Sequence, residues 1–273
     1  MNGKEIRLAR LFPDGKPSVI VAIDHGQTFG PLEGIEDFSA ATARLKEADG
    51  VLMAPYMIRH SGDLYAGRNR PVAIARLNWS TVHCYPWAYK EGWAAQAISA
   101  SAAAALGADV LLASLVLQTG DEAHDAENVG LFGALAEECH ELGIPLIGEV
   151  FPAGGVEVEH NKEYLHEYVR IMCRIVAELG ADAIKTFYTG ERFPETVAGC
   201  PIPIFCLGAE KLESELDALD LAQRKIAAGA CGVVFGRNVI QARDRAKFLQ
   251  ALKAVVQEGV EPREAAAESG LAQ

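Results

Sequence analysis

The chain has 273 residues, a mass of 29.2 kDa and a formal net charge of −12 at pH 7. This acidic balance argues against non-specific binding to nucleic acids or to anionic membranes. The first ten residues are too polar for a secretory leader, and the Ala-rich stretch 94–106 is too short to cross a bilayer. We therefore expect neither a leader nor a membrane span. The six cysteines form no CxxC pair, which predicts buried thiols in a reducing, cytoplasmic setting.

Short apolar runs alternate with longer amphipathic segments along the whole chain. The runs predict eight strands, at 18–24, 50–54, 72–77, 109–114, 145–150, 182–187, 202–207 and 232–236. The amphipathic patterns predict helices at 39–47, 94–106, 131–142, 162–179, 214–228 and 245–258, with one more in the polar tail 260–273. Glycine follows several of these helices, as in the Leu-Gly pairs at 106–107, 142–143 and 179–180, which is a common helix C-cap.

Strands separated by helices imply right-handed βαβ crossovers and a parallel sheet. Eight such units favour a closed (β/α)8 TIM barrel that forms a single domain over residues 1–273. A doubly wound open sheet is the alternative, but no GxGxxG follows the first predicted strand. In a parallel barrel the chemistry lies at the C-terminal ends of the strands, so the strand ends supply the candidate site residues.

Lys185 is the most informative of these residues. It lies near the end of an apolar strand-like run, where lysine is an unusual choice. Partial desolvation favours the neutral amine, which can attack a carbonyl and form a Schiff base. The structural alternative is a lysine that extends its amine to the solvent from the strand end.

Carboxylates and further charges are expected at the same end of the barrel. Asp24 ends the first strand and, by alternation, shares a face with Ala22, so it can orient hydroxyls or transfer protons or simply cap a turn. The adjacent His25 is a candidate substrate contact, although a lone histidine beside a strand end is more often a packed or hydrogen-bonded residue. Glu149, near the end of the fifth strand, is either an acid/base or the ion-pair partner of Lys185 or Arg76.

The loops after the last two strands of a barrel are the usual phosphate site. Here they carry glycines that permit close backbone approach and cations that can pair with an anion. Ordinary turn glycines beside surface cations are the alternative. The candidate phosphate-binding residues are Gly208, Ala209, Lys211, Gly236 and Arg237.

Two other features lie near the predicted strand ends. The aromatic-rich segment 78–89 is either a substrate lid or a packing and subunit-contact surface, and we favour the second interpretation. Tyr188 is a candidate proton donor or substrate contact, although packing within its loop explains its presence equally well. The seven histidines show no HxH or HExxH spacing, so we expect no metal centre.

Together these residues resemble the archaeal-type class I fructose-bisphosphate aldolase family, whose superfamily includes the thiolase that degrades phosphorylated autoinducer-2. The matching phrases are DHG at 24–26, GPLEG at 30–34, IKTFY at 184–188, VAGCPIP at 197–203 and GVVFGRNVIQ at 232–241. The resemblance implies a metal-free barrel with Lys185 as the Schiff-base lysine and Asp24 as the assisting carboxylate. It also implies a phosphorylated sugar as substrate and a pentameric or decameric assembly.

Two departures from the family pattern matter. The aldolases carry a tyrosine proton donor in a Trp-x-Tyr-Pro-Arg-Gly phrase, and Phe151 stands at that tyrosine's place here. Phenylalanine cannot transfer a proton, so Glu149 or Tyr188 would have to take that role. The Gly-Gly-x-Lys phosphate phrase reads Gly208-Ala209-Glu210-Lys211, which adds a negative charge to the loop.

The sequence therefore predicts a class I lyase that cleaves or forms a carbon–carbon bond in a phosphorylated ketose or related sugar phosphate, without a cofactor. Two alternatives remain open. One is a thiolase that transfers an acyl group from a phosphorylated dicarbonyl to coenzyme A. The other is a non-catalytic sugar-phosphate-binding protein, because a barrel alone does not establish activity.

Overall fold

Eight parallel strands close into a barrel in the computed structural model, which describes residues 2–154, 160–208 and 210–271. Numbered in chain order, the ten strands are β1 (Ser18–Ala22), β2 (Gly50–Met53), β3 (Val72–Arg76), β4 (Asn78–Ser80), β5 (Ala94–Gln96), β6 (Val110–Leu115), β7 (Leu146–Val150), β8 (Ala183–Thr186), β9 (Ile204–Leu207) and β10 (Gly232–Phe235). The order around the barrel is β1-β10-β9-β8-β7-β6-β3-β2, while β4 and β5 form a separate antiparallel pair. The predicted (β/α)8 TIM barrel is confirmed.

Helices separate the barrel strands and cover the outside of the sheet. The α-helices are Gly3–Ala9, Gly26–Phe29, Phe38–Ala43, Gly62–Tyr65, Ala100–Ala105, Glu122–Glu141, Lys162–Glu178, Phe193–Gly199, Glu215–Ala227, Arg237–Ile240, Arg245–Lys253 and Pro262–Glu268. Short 3-10 turns lie at Pro13–Gly15, Pro55–His60, Thr81–His83, Tyr85–Trp87 and Gly190–Arg192, and a π-helical turn follows at Ala254–Glu258. Among the described helices, none has the length and apolar character that a bilayer crossing requires.

One predicted helix begins too early in the sequence. Residues 94–96 of the predicted helix 94–106 form strand β5, and the helix begins only at Ala100. Alanine favours helix locally, but pairing with β4 holds the first residues extended. The Ser99 side chain then caps the helix by accepting a hydrogen bond from the N–H of Ala102. Tertiary pairing has overridden local propensity.

Side chains alternate between two apolar layers along the barrel strands. Inward residues such as Ile20, Ile74 and Phe205 fill the barrel interior. Outward residues pack beneath the helices in a larger core. The segment after the first helix closes the N-terminal end of the barrel, where Phe12 stacks on Phe205 with ring centroids 5.6 Å apart. In the described part of the chain, an apolar plug thus fills the N-terminal end of the barrel, and a cavity lies at the C-terminal mouth.

Candidate active site

The polar side chains of the mouth lie two residues further along each strand than the apolar side chains that fill the barrel. On β1, Ala22 faces the barrel interior and Asp24 follows two residues later. The same step leads from Ala183 to Lys185 on β8. The buried polar side chains placed this way are Asp24, Arg76, Ser114, Glu149 and Lys185. They form a polar layer directly above the apolar core.

Lys185 and Glu149 are direct neighbours across two parallel strands. Lys185 is only 7% exposed, and its Nζ lies 2.5 Å from Oε1 of Glu149. Both side chains line the same cavity at the barrel mouth. The amine therefore faces the cavity and does not extend to bulk solvent, and Glu149 accepts a hydrogen bond from it.

Arg76 joins the two carboxylates of the mouth. Its Nε lies 2.7 Å from Oδ2 of Asp24, and its two terminal nitrogens lie 2.7 and 3.1 Å from the carboxylate oxygens of Glu149. All three side chains are buried. A planar guanidinium with five donors is suited to such a bridge, so Arg76 fixes the positions of both acids.

The two carboxylates remain ionised in spite of their burial. Burial raises the pKa of Glu149, but Arg76, Lys185 and His83 together hold that pKa well below its usual range. Burial likewise raises the pKa of Asp24, and Arg76 and Lys185 reverse this so that the net pKa is lowered. Opposite charges offset the cost of desolvation here. The two carboxylates of the mouth are thus matched by the two basic side chains of Arg76 and Lys185.

Two residues of this network, Ser114 and His83, are absent from the sequence predictions. Ser114 lies near the end of β6, donates a hydrogen bond to Glu149 and accepts one of 2.7 Å from Arg76. His83 Nε2 lies 3.1 Å from Oε2 of Glu149. Alternation along β6 could have identified Ser114. His83 lies outside the barrel strands, so strand periodicity carries no signal for it.

The segment 78–89 thus contributes to the mouth through His83, whereas we had favoured a packing or subunit-contact surface. Its Trp87 and Tyr89 side chains are exposed and contact each other edge to face at 5.7 Å. His83 thus lines the cavity of the mouth, while the Trp87 and Tyr89 rings are exposed. A prediction that assigned a single role to the whole segment could not separate these two parts.

His25 lies against the loop that follows β10. Burial lowers the pKa of His25 to about 4, although Asp24 partly opposes the shift. The imidazole is therefore neutral at neutral pH. Its ring occupies the space that a Cβ at Gly236 would need, since that atom would lie 2.4 Å from Cε1 of His25. The glycine is required here for the close approach of the ring.

The cavity at the mouth has a volume of about 120 Å³ and extends from Lys185 to the loops after β9 and β10. Gly208, Gly236 and Arg237 line the far side, together with Glu210. The side-chain amide of Asn238 donates hydrogen bonds to the carbonyls of Gly208 and Glu210 at 3.1 and 2.9 Å, which ties the two loops together. The predicted contact Ala209 lies outside the described residues.

Lys211 and Tyr188 lie away from this cavity. Lys211 lines a separate outer groove with Arg243 and Arg263, because the loop after β9 turns outward where Asn238 accepts a hydrogen bond from the N–H of Leu212. The Tyr188 ring packs against Phe193 at 5.6 Å. In this structure neither side chain reaches the groups around Lys185.

The mouth thus combines a buried amine, two ionised carboxylates, two imidazoles and a guanidinium. An amine in such a setting can condense with a carbonyl, and the carboxylates and imidazoles can hold or relay protons. Across the described part of the chain, no three His, Cys, Asp or Glu side chains converge in a way that could hold a metal ion. The site residues themselves supply groups for nucleophilic and acid–base chemistry.

Comparison with known proteins gives relatives over almost the full chain. The chain is 32% identical to an uncharacterised aldolase of Saccharolobus solfataricus over 97% of this chain and 98% of that one. It is 30% identical to 3-hydroxy-5-phosphonooxypentane-2,4-dione thiolase of Klebsiella pneumoniae, over 96% of this chain and 84% of that one. Both matches span the segment that builds the barrel and its mouth.

Solved structures agree with the sequence relatives. An archaeal fructose 1,6-bisphosphate aldolase superimposes with a TM-score of 0.77 at 26% identity, over 92% of this chain and 98% of that one. A Schiff base-forming fructose-1,6-bisphosphate aldolase, studied through its reaction intermediates, gives a TM-score of 0.76 at 28% identity over the same shares. The model of the DeoC/LacD family of aldolases matches residues 18–242. This chain therefore belongs to the DeoC/LacD family of aldolases, and it is a lyase built on a (β/α)8 barrel.

Proposed function

We propose that this enzyme is a class I lyase that makes or breaks a carbon–carbon bond in a phosphorylated ketose or related sugar phosphate through an iminium on Lys185. The observation that carries the proposal is the position of the Lys185 amine, which is buried in the barrel mouth and hydrogen-bonded to an ionised carboxylate. The Schiff base-forming structural neighbour supports the same chemistry. The proposed reaction needs no metal or cofactor, because the iminium itself is the electron sink.

The resting contact between Lys185 and Glu149 suggests how the nucleophile is prepared. The ammonium donates to Oε1 of Glu149, so the proton that the amine must lose has an acceptor already in place. The neutral amine then attacks the substrate carbonyl and gives a carbinolamine. Asp24, which Arg76 holds at 2.7 Å, is the group we assign to proton transfer during the loss of water that forms the iminium.

The far side of the cavity is our candidate for the substrate phosphate. Arg237 provides a cation at the junction of the last two barrel loops, which is where phosphates bind in many barrels. Glu210 lines the same side and favours a hydroxyl or a singly charged group beside the phosphate over a second phosphate. We accordingly favour a substrate with its phosphate at one end.

A second candidate is the transfer of an acyl group from a phosphorylated dicarbonyl to coenzyme A. The 30% identity to the Klebsiella pneumoniae thiolase over most of both chains favours it. Both candidates use Lys185 as the nucleophile, and they differ in whether turnover requires coenzyme A. Turnover of 3-hydroxy-5-phosphonooxypentane-2,4-dione with and without coenzyme A distinguishes the two.

Reductive trapping tests the common step. The protein is treated with borohydride in the presence of fructose 1,6-bisphosphate, other ketose monophosphates or the dione, and its intact mass and peptide masses are measured. We expect a mass increase that maps to Lys185 and is absent from Lys185→Met. The matched control is Lys225→Met, which removes another buried lysine outside the cavity and should still form the adduct. Phosphosugar binding without any adduct would instead support a non-catalytic protein.

A further inference from the structure

His83 reaches the barrel mouth from a segment outside the barrel strands. Between β3 and β6 the chain forms the antiparallel pair β4 and β5, and His83 lies on the 3-10 turn that follows β4. Its side chain is 13% exposed and lines the same cavity as Lys185. The ring contacts Phe151 edge to face at 4.6 Å. An imidazole is thus held beside a phenylalanine that has no proton to give.

The segment that carries His83 is anchored to the barrel by specific hydrogen bonds. The Asn78 amide donates to the carbonyl of Ser114 and accepts from its N–H, both at 2.8 Å. The Asn128 side chain donates to the carbonyl of Gly92 at 3.0 Å. Trp93 stacks on His124 with ring centroids 3.6 Å apart. These contacts fix both ends of the segment, so the position of His83 is set by the fold.

The hydrogen-bond network assigns the tautomer of His83. Ser114 accepts from Arg76 and donates its only hydroxyl hydrogen to Glu149. Glu149 is ionised and accepts only. Nε2 of His83 lies 3.1 Å from Glu149 and 3.2 Å from the Ser114 hydroxyl, so it faces two acceptors and must carry the hydrogen. Nδ1 is then the basic nitrogen of the neutral ring.

Glu149 therefore connects two groups with different tasks. Its Oε1 accepts a hydrogen bond from Lys185 and its Oε2 lies against His83. The carboxylate therefore orients both the imidazole and the nucleophile at the cavity. Among the described residues, Nδ1 of His25, the other imidazole of the cavity, has no hydrogen-bond partner, and burial lowers the pKa of His25 to about 4.

We propose that His83 is the catalytic base and acid of carbon–carbon bond cleavage, with Glu149 as the residue that positions it. Nδ1 removes the proton from the hydroxyl of the carbon that leaves. The O–H electrons form the carbonyl of the released aldehyde, and the electrons of the broken carbon–carbon bond move into the Lys185 iminium to give an enamine. The imidazolium then returns the proton to the enamine carbon, and water hydrolyses the resulting iminium to free the ketone and the lysine.

This inference rests on the proposed Schiff-base function, so its test separates adduct formation from bond cleavage. The variants are His83→Gln, which retains an N–H for Glu149, and His83→Ala. The control is His140→Gln, on the exposed face of the helix Glu122–Glu141. Each is assayed for borohydride trapping and for turnover of fructose 1,6-bisphosphate and of 3-hydroxy-5-phosphonooxypentane-2,4-dione.

We expect His83→Gln to form the Lys185 adduct at the wild-type yield while kcat falls by about 100-fold or more, as for the loss of a general base. Imidazole added to the buffer should partly restore the turnover of His83→Ala.

Turnover of His83→Gln within threefold of the wild type would overturn the assignment. So would a parallel loss of adduct and turnover, because that result shows a structural role. If the wild-type protein itself forms no adduct with either compound, the Schiff-base function fails first and the role of His83 fails with it. The two failures are thus distinguishable.

Discussion

Replacing Arg76 tests whether one guanidinium holds the polar layer of the mouth together. Arg76 is buried and bonded to both Asp24 and Glu149. In Arg76→Met the two carboxylates keep only Lys185 as a cationic neighbour in this layer, and the balance of two negative and two positive groups becomes a net charge of about −1. The side chain that replaces the arginine fills similar space, so the change is chiefly electrostatic.

The expected loss in the free energy of unfolding follows from this geometry. Removing one partner of a buried ion pair costs about 3–5 kcal/mol, because a buried charge remains uncompensated. For a chain of this size that corresponds to a fall in Tm on the order of 10 °C. The pKa values of Asp24 and Glu149, which are lowered in the wild type, should rise in the variant.

The pH dependence has a defined sign. Carboxyls with a lowered pKa in the folded state stabilise the wild type above their unfolded values, 3.8 for aspartate and 4.5 for glutamate, and this contribution is lost as the pH falls through the folded pKa values. In Arg76→Met the pKa values of these carboxyls are expected to rise, so the variant loses the stability that the lowered values give the wild type. The stability difference between wild type and variant should therefore be largest near neutral pH and smaller at about pH 4.

Urea denaturation followed by circular dichroism and tryptophan fluorescence at pH 4, 5.5 and 7 measures these quantities. The control is Arg174→Met, which breaks an exposed i,i+4 pair with Glu178 and should leave the midpoint almost unchanged. If Arg76→Met loses no more stability than Arg174→Met at pH 7, the two carboxylates do not depend on Arg76 and our account of the mouth is wrong.

Two further predictions concern residues at the edge of the site. The Lys225 amine is 1% exposed, donates to the carbonyl of Leu207 at 2.6 Å and has a pKa that burial lowers to about 8 from 10.5. Because the unfolded chain binds more protons between these values, the stability of the wild type relative to Lys225→Met should rise by up to about 3 kcal/mol between pH 8 and 10.5. Urea midpoints of the two proteins that stay parallel over this range would contradict the lowered pKa. At Gly236, an added Cβ would lie 2.4 Å from the His25 ring, so Gly236→Ala should raise KM for the phosphorylated substrate and cost about 1–3 kcal/mol of stability. Gly133→Ala, in an open position of a helix, should be neutral or stabilising; equal kinetics for the two alanine variants would show that the His25 ring has room to move.

The structure of the aromatic-rich segment 78–89 could not be predicted from the periodicity of the sequence. The spacing of strand-like runs predicted the eight barrel strands because a buried parallel strand requires a short apolar stretch between helices. Alternation along those strands also placed Asp24 in the mouth. The segment 78–96 follows no such period, and its pairing as β4 and β5 depends on contacts with Ser114 and Asn128 that are distant in sequence.

The sequence also could not predict which charged side chains of the mouth pair with one another. Glu149 could have been a free acid/base or a partner of Lys185 or Arg76, and the structure shows that it contacts both. Tyr188 and Lys211 follow their strands closely in sequence, yet they point away from the cavity. A loop residue leaves the alternation of its strand, so its direction depends on the packing of the loop.

Local patterning by itself determined the barrel and the position of Lys185 near a strand end, because each buried strand requires an apolar run and points alternate side chains to opposite faces. The closure of the barrel decided the rest. It brought Arg76 between two acids from different strands, and it placed His83 against Glu149 from a segment with no strand periodicity. Such contacts join residues that are distant along the chain, so they exist only once the whole barrel has formed.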